Sequence, residues 1–200
     1  FYITQDDAVQ VEEDLNGVVD NAFSGLLVVI VVLFLFIGFR ESLIVATVIP
    51  LSLLISIIIM HFYGLTFNEL TLMGFIIALG MLVDNAIVVM ENIDRLRDAG
   101  LSKLEAAKAG INQVAPAVLA ATLTTVVAFI PLTRLSGAMG QMIKHLPLTI
   151  IFVLVASFVV SLAITPVLSS RFLSDYKISK RERKNNFFSN VKKYGSVVLI

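Results

Sequence analysis

The chain has 200 residues and no cysteine, and its 15 Lys and Arg residues are balanced by 15 Asp and Glu residues. Hydrophobic residues make up 58% of it, well above the apolar share of ordinary soluble domains. The composition therefore excludes a disulfide framework and a thiolate metal site. No nucleic-acid partner is expected.

Residues 1–22 precede the first long apolar segment and predict the end of an external α+β domain. Phe1–Thr4 is typical of the end of a strand, and Asp6 or Asp7 is a candidate cap for a following helix. The apolar positions of that helix recur at helical spacing: Val11, Leu15, Val18, Val19 and Ala22. No breaker separates it from the apolar segment. We expect most of the external domain to lie upstream and the chain to be a fragment.

Five long apolar segments predict five membrane spans. They cover residues 23–39, 43–62, 70–90, 114–133 and 146–168. Each is close to the roughly 20 residues that a helix needs to cross about 30 Å of hydrocarbon. The first follows a polar stretch without a basic start, so it is not a signal peptide. The predicted fold is an all-α, polytopic membrane helix bundle over residues 23–168.

Short polar connections are predicted between the spans: Arg40–Ser42 on one side, and His61–Glu69 and Arg134–His145 on the other. The loop that follows Met90 is polar and helical in pattern, and we expect Gly100 and Gly110 to break it. Ser102 followed by Glu105 predicts a capping box inside this loop.

The charges predict the orientation of the bundle. Residues 1–22 contain six acids and no basic residue, and all Lys and Arg except Arg134 and Lys144 fall at Arg40, in residues 91–113 or in residues 169–193. The positive-inside rule therefore places the N-terminal segment outside and these basic regions in the cytoplasm. We expect residues 169–193 to include an amphipathic helix, and residues 194–200 to begin a further span.

Asp84 is the candidate functional residue, because it interrupts the apolar run from Leu70 to Met90. An aspartate in the middle of a membrane costs roughly 2.5–3.5 kcal/mol on insertion scales, and such residues usually face a bundle interior or a watery path. The membrane-embedded carboxyl group predicts a proton or ion site, and hence a transporter. Asn85 donates to the carboxylate or accepts from the carboxylic acid, so it is the predicted partner of Asp84.

Helical geometry assigns the surroundings of Asp84. One face carries Met73, Ile77, Gly80, Asp84 and Ile87, and the adjoining stripe carries Gly74, Ala78, Met81, Asn85 and Asn92. The small residues Gly74, Ala78 and Gly80 are predicted to let another helix approach closely. We therefore expect Asp84 to be buried against protein. The other four segments contain no Lys or Arg, so the cation that pairs with Asp84 lies elsewhere or Asp84 is protonated at rest.

Asp84 also admits two other interpretations. One is a structural role in which the side chain only bridges helices. The other is an intramembrane aspartyl protease, which needs two carboxyl groups that share a proton. The five segments contain no second Asp, and Glu91 lies just past the third one, so the chain is not expected to be an enzyme. Thr122, Thr124 and Thr125 offer hydroxyl groups, which we expect to bond to their own helix.

At this motif the sequence resembles the resistance-nodulation-division (RND) efflux transporters, in particular the hydrophobe/amphiphile multidrug branch of the acriflavin-resistance type. The resemblance rests on GMLVDNAIVVMENIDR (80–95), FNELTL (67–72), AGLSKLEAAKAG (99–110) and ATLTTVVAFIPL (121–132), in the order of the family. It implies that residues 1–22 close a periplasmic porter domain, and that the five spans belong to a twelve-helix inner-membrane transporter. The resemblance implies that Asp84 is the family's proton-relay aspartate. Many drug pumps have a second aspartate directly after it, whereas this chain has Asn85, which leaves one titratable group.

The resemblance also implies a function and partners. The expected function is H⁺-driven export of drugs or other amphiphilic compounds, with H⁺ as the coupling ion and no cofactor or metal. A homotrimer, a periplasmic adaptor and an outer-membrane channel are the expected partners, together with the lipid bilayer. The family's partner lysine belongs to a later span, outside these residues. The alternatives are an RND exporter of heavy-metal cations and a non-transporting membrane receptor with a related bundle.

Overall fold

A computed structural model describes residues 7–36 and 39–172, and all the regular elements within these residues are helices. They are α1 (Asp7–Phe36), α2 (Phe39–Tyr63), α3 (Glu69–Asp98), α4 (Lys103–Thr133), α5 (Gly137–Ile143) and α6 (His145–Phe172). The predicted all-α class is confirmed for this part of the chain. The predicted strand end at Phe1–Thr4, the charged segment beyond Phe172 and the further span lie outside the described residues.

Four of the helices are long and apolar enough to cross a membrane. Their apolar stretches lie within Glu41–Tyr63, Glu69–Asp98, Lys103–Thr133 and Met139–Phe172. The first predicted span corresponds to a shorter apolar stretch, Phe23–Leu35, in the second half of α1. As expected, α1 runs without interruption from its polar start into this stretch. The chain is therefore a multi-pass membrane protein, and the division into domains stays a prediction.

The structure corrects several predicted connections. Residues 40–42 lie inside the first turn of α2, where the helix dipole favours an acid such as Glu41. Gly110 lies within the continuous helix α4 and does not break it. The predicted loop between Arg134 and His145 contains the short helix α5. Gly100 does end a helix. Its φ is +104°, a conformation outside the right-handed helix that glycine adopts without steric cost.

α6 forms the centre of the bundle. It packs against α2, α3 and α4, while α3 also contacts α4 and α1. The completely buried side chains at these contacts are large and apolar: Ile49, Leu82, Met90, Ile93, Ile150, Val153 and Val160. α3 and α6 run in the same direction, since Gly74 lies at Thr149 and Leu82 lies at Ser157. The predicted site on α3 is therefore framed by α6 on one side and α4 on another.

Candidate functional site

α3 is fixed at both ends. At its start, the Thr71 N–H donates to Asn68 Oδ1 at 3.0 Å, and the Asn68 N–H donates to Thr71 Oγ1 at 2.8 Å. At its end, the Gly100 N–H donates to the Arg97 carbonyl oxygen at 2.9 Å. These bonds satisfy backbone groups that have no partner within the helix. Asp84 lies near the middle of α3, far from either polar end.

The two sides of α3 differ in what covers them. Gly74, Ala78, Leu82 and Ala86 are buried, whereas Met73, Ile77, Gly80, Asp84 and Val88 are exposed. The exposed residues follow one another every three or four positions, so they form a continuous stripe along the helix. We call this stripe the open face of α3. Of these five exposed residues, Asp84 is the charged one, and it lies near the middle of α3.

The expected burial of Asp84 is wrong for the described helices. Gly74 lies so close to α6 that a Cβ atom there would stand 2.9 Å from Thr149 Cβ and 3.0 Å from the Leu146 carbonyl oxygen. By contrast, no atom of residues 7–36 and 39–172 lies within 4 Å of a Cβ atom built on Gly80. The small residues of the adjoining stripe, Gly74 and Ala78, bring α6 to the other side of α3. The packing role predicted for Gly80 is not performed by any described helix and stays a prediction.

Asn85 points toward α4. Its Oδ1 accepts a hydrogen bond from Thr122 Oγ1 at 3.4 Å, a long contact between side chains on different helices. Thr124 and Thr125 bond instead to carbonyl oxygens of their own helix, at 2.8 and 3.0 Å. The expected back-bonding is therefore confirmed for Thr124 and Thr125 and wrong for Thr122. The relay roles predicted for Asp84 and Asn85 stay predictions.

The turn that carries Asp84 also bonds to α6. Ser157 Oγ donates to the Leu82 carbonyl oxygen at 2.7 Å, and both residues are completely buried. A carbonyl oxygen has two lone pairs, so Leu82 can accept this bond in addition to its helical one. The backbone of α3 is therefore tied to a neighbouring helix two residues before the acid.

A polar cluster that the sequence did not predict joins α3 to α4 at their near ends. Asn92, 7% exposed, donates through Nδ2 to the Gly110 carbonyl oxygen at 2.9 Å and to Gln113 Oε1 at 3.2 Å. Arg95 donates to Asn92 Oδ1 at 2.8 Å. A Cβ atom at Gly110 would lie 2.7 Å from Ile93 Cγ1, so only glycine permits this approach. The available signal was that Asn92 shares the buried stripe of Gly74 and Ala78.

The capping box predicted at the start of α4 is present. The Glu105 N–H donates to Ser102 Oγ at 3.4 Å, and the Ser102 N–H donates to Glu105 Oε2 at 3.2 Å. Together with Gly100, the box turns the chain sharply between α3 and α4. Both helices therefore emerge from this corner with a fixed register, which brings Thr122 to the level of Asn85.

A shallow apolar groove of about 1030 Å³ lies between the first half of α2 and the end of α6. Its wall includes Phe39, Leu43, Pro50, Leu168 and Phe172. Thr47 also lines the groove, and its hydroxyl group donates to the Leu43 and Ile44 carbonyl oxygens of its own helix. Such a lining suits hydrocarbon. In residues 7–36 and 39–172, no group of three or more His, Cys, Asp or Glu residues is arranged to hold a metal ion.

Comparison with known proteins gives one consistent family. Residues 1–198 match the family model described as the AcrB/AcrD/AcrF family. The chain is 32% identical over 180 residues to the solvent-resistant pump membrane transporter SrpB of Pseudomonas putida, covering 89% of the chain and 17% of that protein. It is 34% identical over 186 residues to the multidrug resistance protein MdtC of Escherichia coli O139:H28, covering 92% of the chain and 18% of that protein. The toluene efflux pump membrane transporter TtgE, also of Pseudomonas putida, is 31% identical over 180 residues, which cover 89% of the chain and 17% of that protein. The chain therefore spans less than a fifth of the length of these relatives.

Proposed function

The chain belongs to the AcrB/AcrD/AcrF family of RND multidrug efflux transporters, and from this premise we propose that it forms part of the membrane domain of a proton-driven exporter of drugs or other amphiphilic compounds. Asp84 is the proton carrier in this proposal, and Asn85 is the polar neighbour that stabilises either form of its carboxyl group.

The observation that carries the proposal is the position of Asp84 on the open face of α3. An ionisable group near the middle of an apolar helix is rare and costly, and it is usually retained for a function. The other sides of α3 contact described helices: Gly74 packs closely against α6, and Asn85 accepts a hydrogen bond from α4. Asp84 contributes nothing to those contacts, which argues against the structural role of bridging α3 to α4 or α6.

The proposed chemistry follows from the two states of a carboxyl group. With a cation or water close by, the carboxylate is stabilised, and in a dry environment the neutral acid is stabilised. A helix that covers and uncovers the open face therefore changes the proton affinity of Asp84. Taking up H⁺ from one side and releasing it to the other during this movement couples proton entry to export.

The location and partners of the intact transporter are part of the same proposal. Basic residues such as Arg95 and Lys108 lie near the α3–α4 corner, which supports a cytoplasmic position for that corner. We place the protein in the inner membrane with its N-terminal segment in the periplasm. A homotrimer that works with a periplasmic adaptor and an outer-membrane channel is the assembly that the family resemblance implies.

Drug-type substrates are favoured over heavy-metal cations. The names of three relatives refer to multidrug resistance, solvent resistance and toluene efflux. The methionines also do not form a path along the bundle, since Met60 and Met90 are buried in the core while Met139 and Met142 are exposed on α5. Methionine in such positions usually serves packing.

The test uses the intact transporter reconstituted into lipid vesicles, with a pH difference across the membrane and ethidium as the amphiphilic probe. The wild-type protein should move ethidium only when the pH difference is imposed, and Asp84→Asn should reduce this movement to the level of protein-free vesicles. Glu91→Gln is the matched control, because Glu91 is an exposed acid one step past the apolar run. Ethidium movement that persists in Asp84→Asn at the wild-type rate refutes the proposal.

A further inference from the structure

The turn of α3 around Asp84 accepts hydrogen bonds from hydroxyl groups on two neighbouring helices. Ser157 on α6 donates to the Leu82 carbonyl oxygen at 2.7 Å, and Thr122 on α4 donates to Asn85 Oδ1 at 3.4 Å. Leu82 and Asn85 stand on either side of Asp84 in the chain. The acid itself makes neither contact and is exposed on the open face.

These two hydroxyl groups differ from their neighbours on the same helices. On α4, Thr124 bonds to the Ala120 carbonyl oxygen of its own helix. On α6, Ser169 is as deeply buried as Ser157, yet it bonds to the Pro166 carbonyl oxygen of its own helix at 2.9 Å. Back-bonding of this kind satisfies the hydroxyl group locally and ties no helices together. Ser157 and Thr122 instead cross to α3 within the turn that holds the acid.

Both donors are buried, so water does not replace the acceptor on α3 if that acceptor moves away. Ser157 is 0% exposed and Thr122 is 6% exposed. A rotation or a slide of α3 would leave a buried hydroxyl group without its partner, and that costs free energy. Close packing at Gly74, about three turns before Asp84 on α3, opposes the same movement at the α6 side.

We propose that Ser157 and Thr122 are positioning residues for proton coupling, which hold the Asp84 turn in one rotational setting against α6 and α4. With Oδ1 of Asn85 engaged by Thr122, the amide NH₂ group is left as the donor for the carboxylate when Asp84 is ionised. The open face of α3 then stays directed at whatever helix covers it. This inference rests on the proposed function, since it concerns how the proton carrier is presented.

The test measures the proton-driven movement of ethidium by the intact transporter in vesicles, normalised to the amount of folded protein. Ser157→Ala and Thr122→Val should each lower the rate about threefold, the effect of losing one average hydrogen bond between membrane helices. Ser169→Ala and Thr124→Val are matched controls, because each removes a hydroxyl group that bonds within its own helix. Both controls should keep the wild-type rate.

A pair of substitutions at one position separates the hydroxyl group from packing. Thr122→Val keeps the volume and removes the hydroxyl group, whereas Thr122→Ser keeps the hydroxyl group and removes a methyl group. Positioning predicts that the Ser variant is faster than the Val variant, and a packing role predicts the reverse order. Ser157→Cys, which keeps a small weak donor, replaces Ser157→Ala if the alanine variant does not fold.

The outcomes distinguish this inference from the proposed function. If Asp84→Asn abolishes movement while Thr122→Val and Ser157→Ala match their controls, the positioning role is refuted and the function stands. A Val variant that is faster than the Ser variant at position 122 also refutes it. If Asp84→Asn moves ethidium at the wild-type rate, the proposed function itself fails.

Discussion

The two sides of α3 differ in how they pack. The buried side contains Gly74, Ala78 and Leu82, and it holds the bundle together through contacts with α6. The open face contains Gly80 and Asp84, which are both exposed, and no atom of the described residues lies within 4 Å of a Cβ atom built on Gly80. Residues two positions apart on one helix therefore differ in role: those on the buried side pack the bundle, whereas Asp84 on the open face takes no part in that packing and is the residue proposed to carry the proton. The comparison predicts that substitutions on the two sides have different consequences.

The largest expected effect on stability is at Leu82, which is completely buried. Leu82→Ala should destabilise the folded protein by about 2–3 kcal/mol. The substitution leaves a cavity, and the neighbouring side chains lose their van der Waals contacts with the leucine. The measurement is unfolding of the purified protein in detergent micelles. Val88→Ala on the open face, where Val88 is 44% exposed, is the control and should cost much less. Equal losses for both variants would remove the distinction between the two sides.

Two glycines on α3 sharpen the comparison. Gly74→Ala should cost about 1–2 kcal/mol, because the new methyl group would lie too close to Thr149 and the Leu146 carbonyl oxygen. The new methyl group of Gly80→Ala meets no atom of the described helices within 4 Å. This variant should therefore leave stability unchanged or slightly raised, since alanine is the better helix former. Thermal unfolding of both variants tests this. A large loss at Gly80 would mean that a helix outside the described residues approaches there.

The α3–α4 corner should respond less strongly. Asn92→Leu removes the bonds to the Gly110 carbonyl oxygen, Gln113 and Arg95. Gln113 and Arg95 are exposed and can bond to water instead, so the loss should be about 1 kcal/mol, the net value of a typical intramolecular hydrogen bond. Glu91→Gln, at an exposed neighbouring position, is the control. Hydrogen exchange at the start of α4 is the second measurement, and it should rise in Asn92→Leu only. Unchanged exchange would contradict a role for Asn92 in joining the helices.

The smallest effect is expected at the exposed cap of α4. Ser102→Ala should cost about 0.5–1 kcal/mol, because the Glu105 N–H loses its acceptor. Ser136, before α5, is the matched control because it makes no side-chain cap hydrogen bond, so Ser136→Ala should have no effect. Thermal unfolding in detergent compares the two. A similar loss from both variants would show that the capping bond at Ser102 adds nothing.

Local patterns in the sequence were sufficient to predict much of the fold. The apolar runs predicted the long helices, and Ser102 with Glu105 predicted a capping box that the structure contains. Gly74 was expected to permit a close helix approach, and α6 lies against it. Each of these features depends on residues within one helix or one turn, which is why a single sequence is informative about them.

The features that the sequence did not predict depend on contacts between helices. Gly110 was expected to break a helix, but its function is to admit Ile93, which is far away in sequence. Small residues occur on both sides of α3, at Gly74 and Gly80, and their spacing does not reveal which side a neighbour covers. For the same reason, the partners of Asn92 and Thr122 were not predicted.

The most direct test of the central claim is infrared difference spectroscopy of the intact transporter during turnover, with Asp84→Asn used to assign the signal of the Asp84 carboxyl group. Proton coupling through this residue predicts that the carbonyl stretch of a protonated carboxyl group appears and disappears in each cycle when a pH difference drives export. A carboxyl group that remains in one ionisation state while ethidium is being exported would contradict the account.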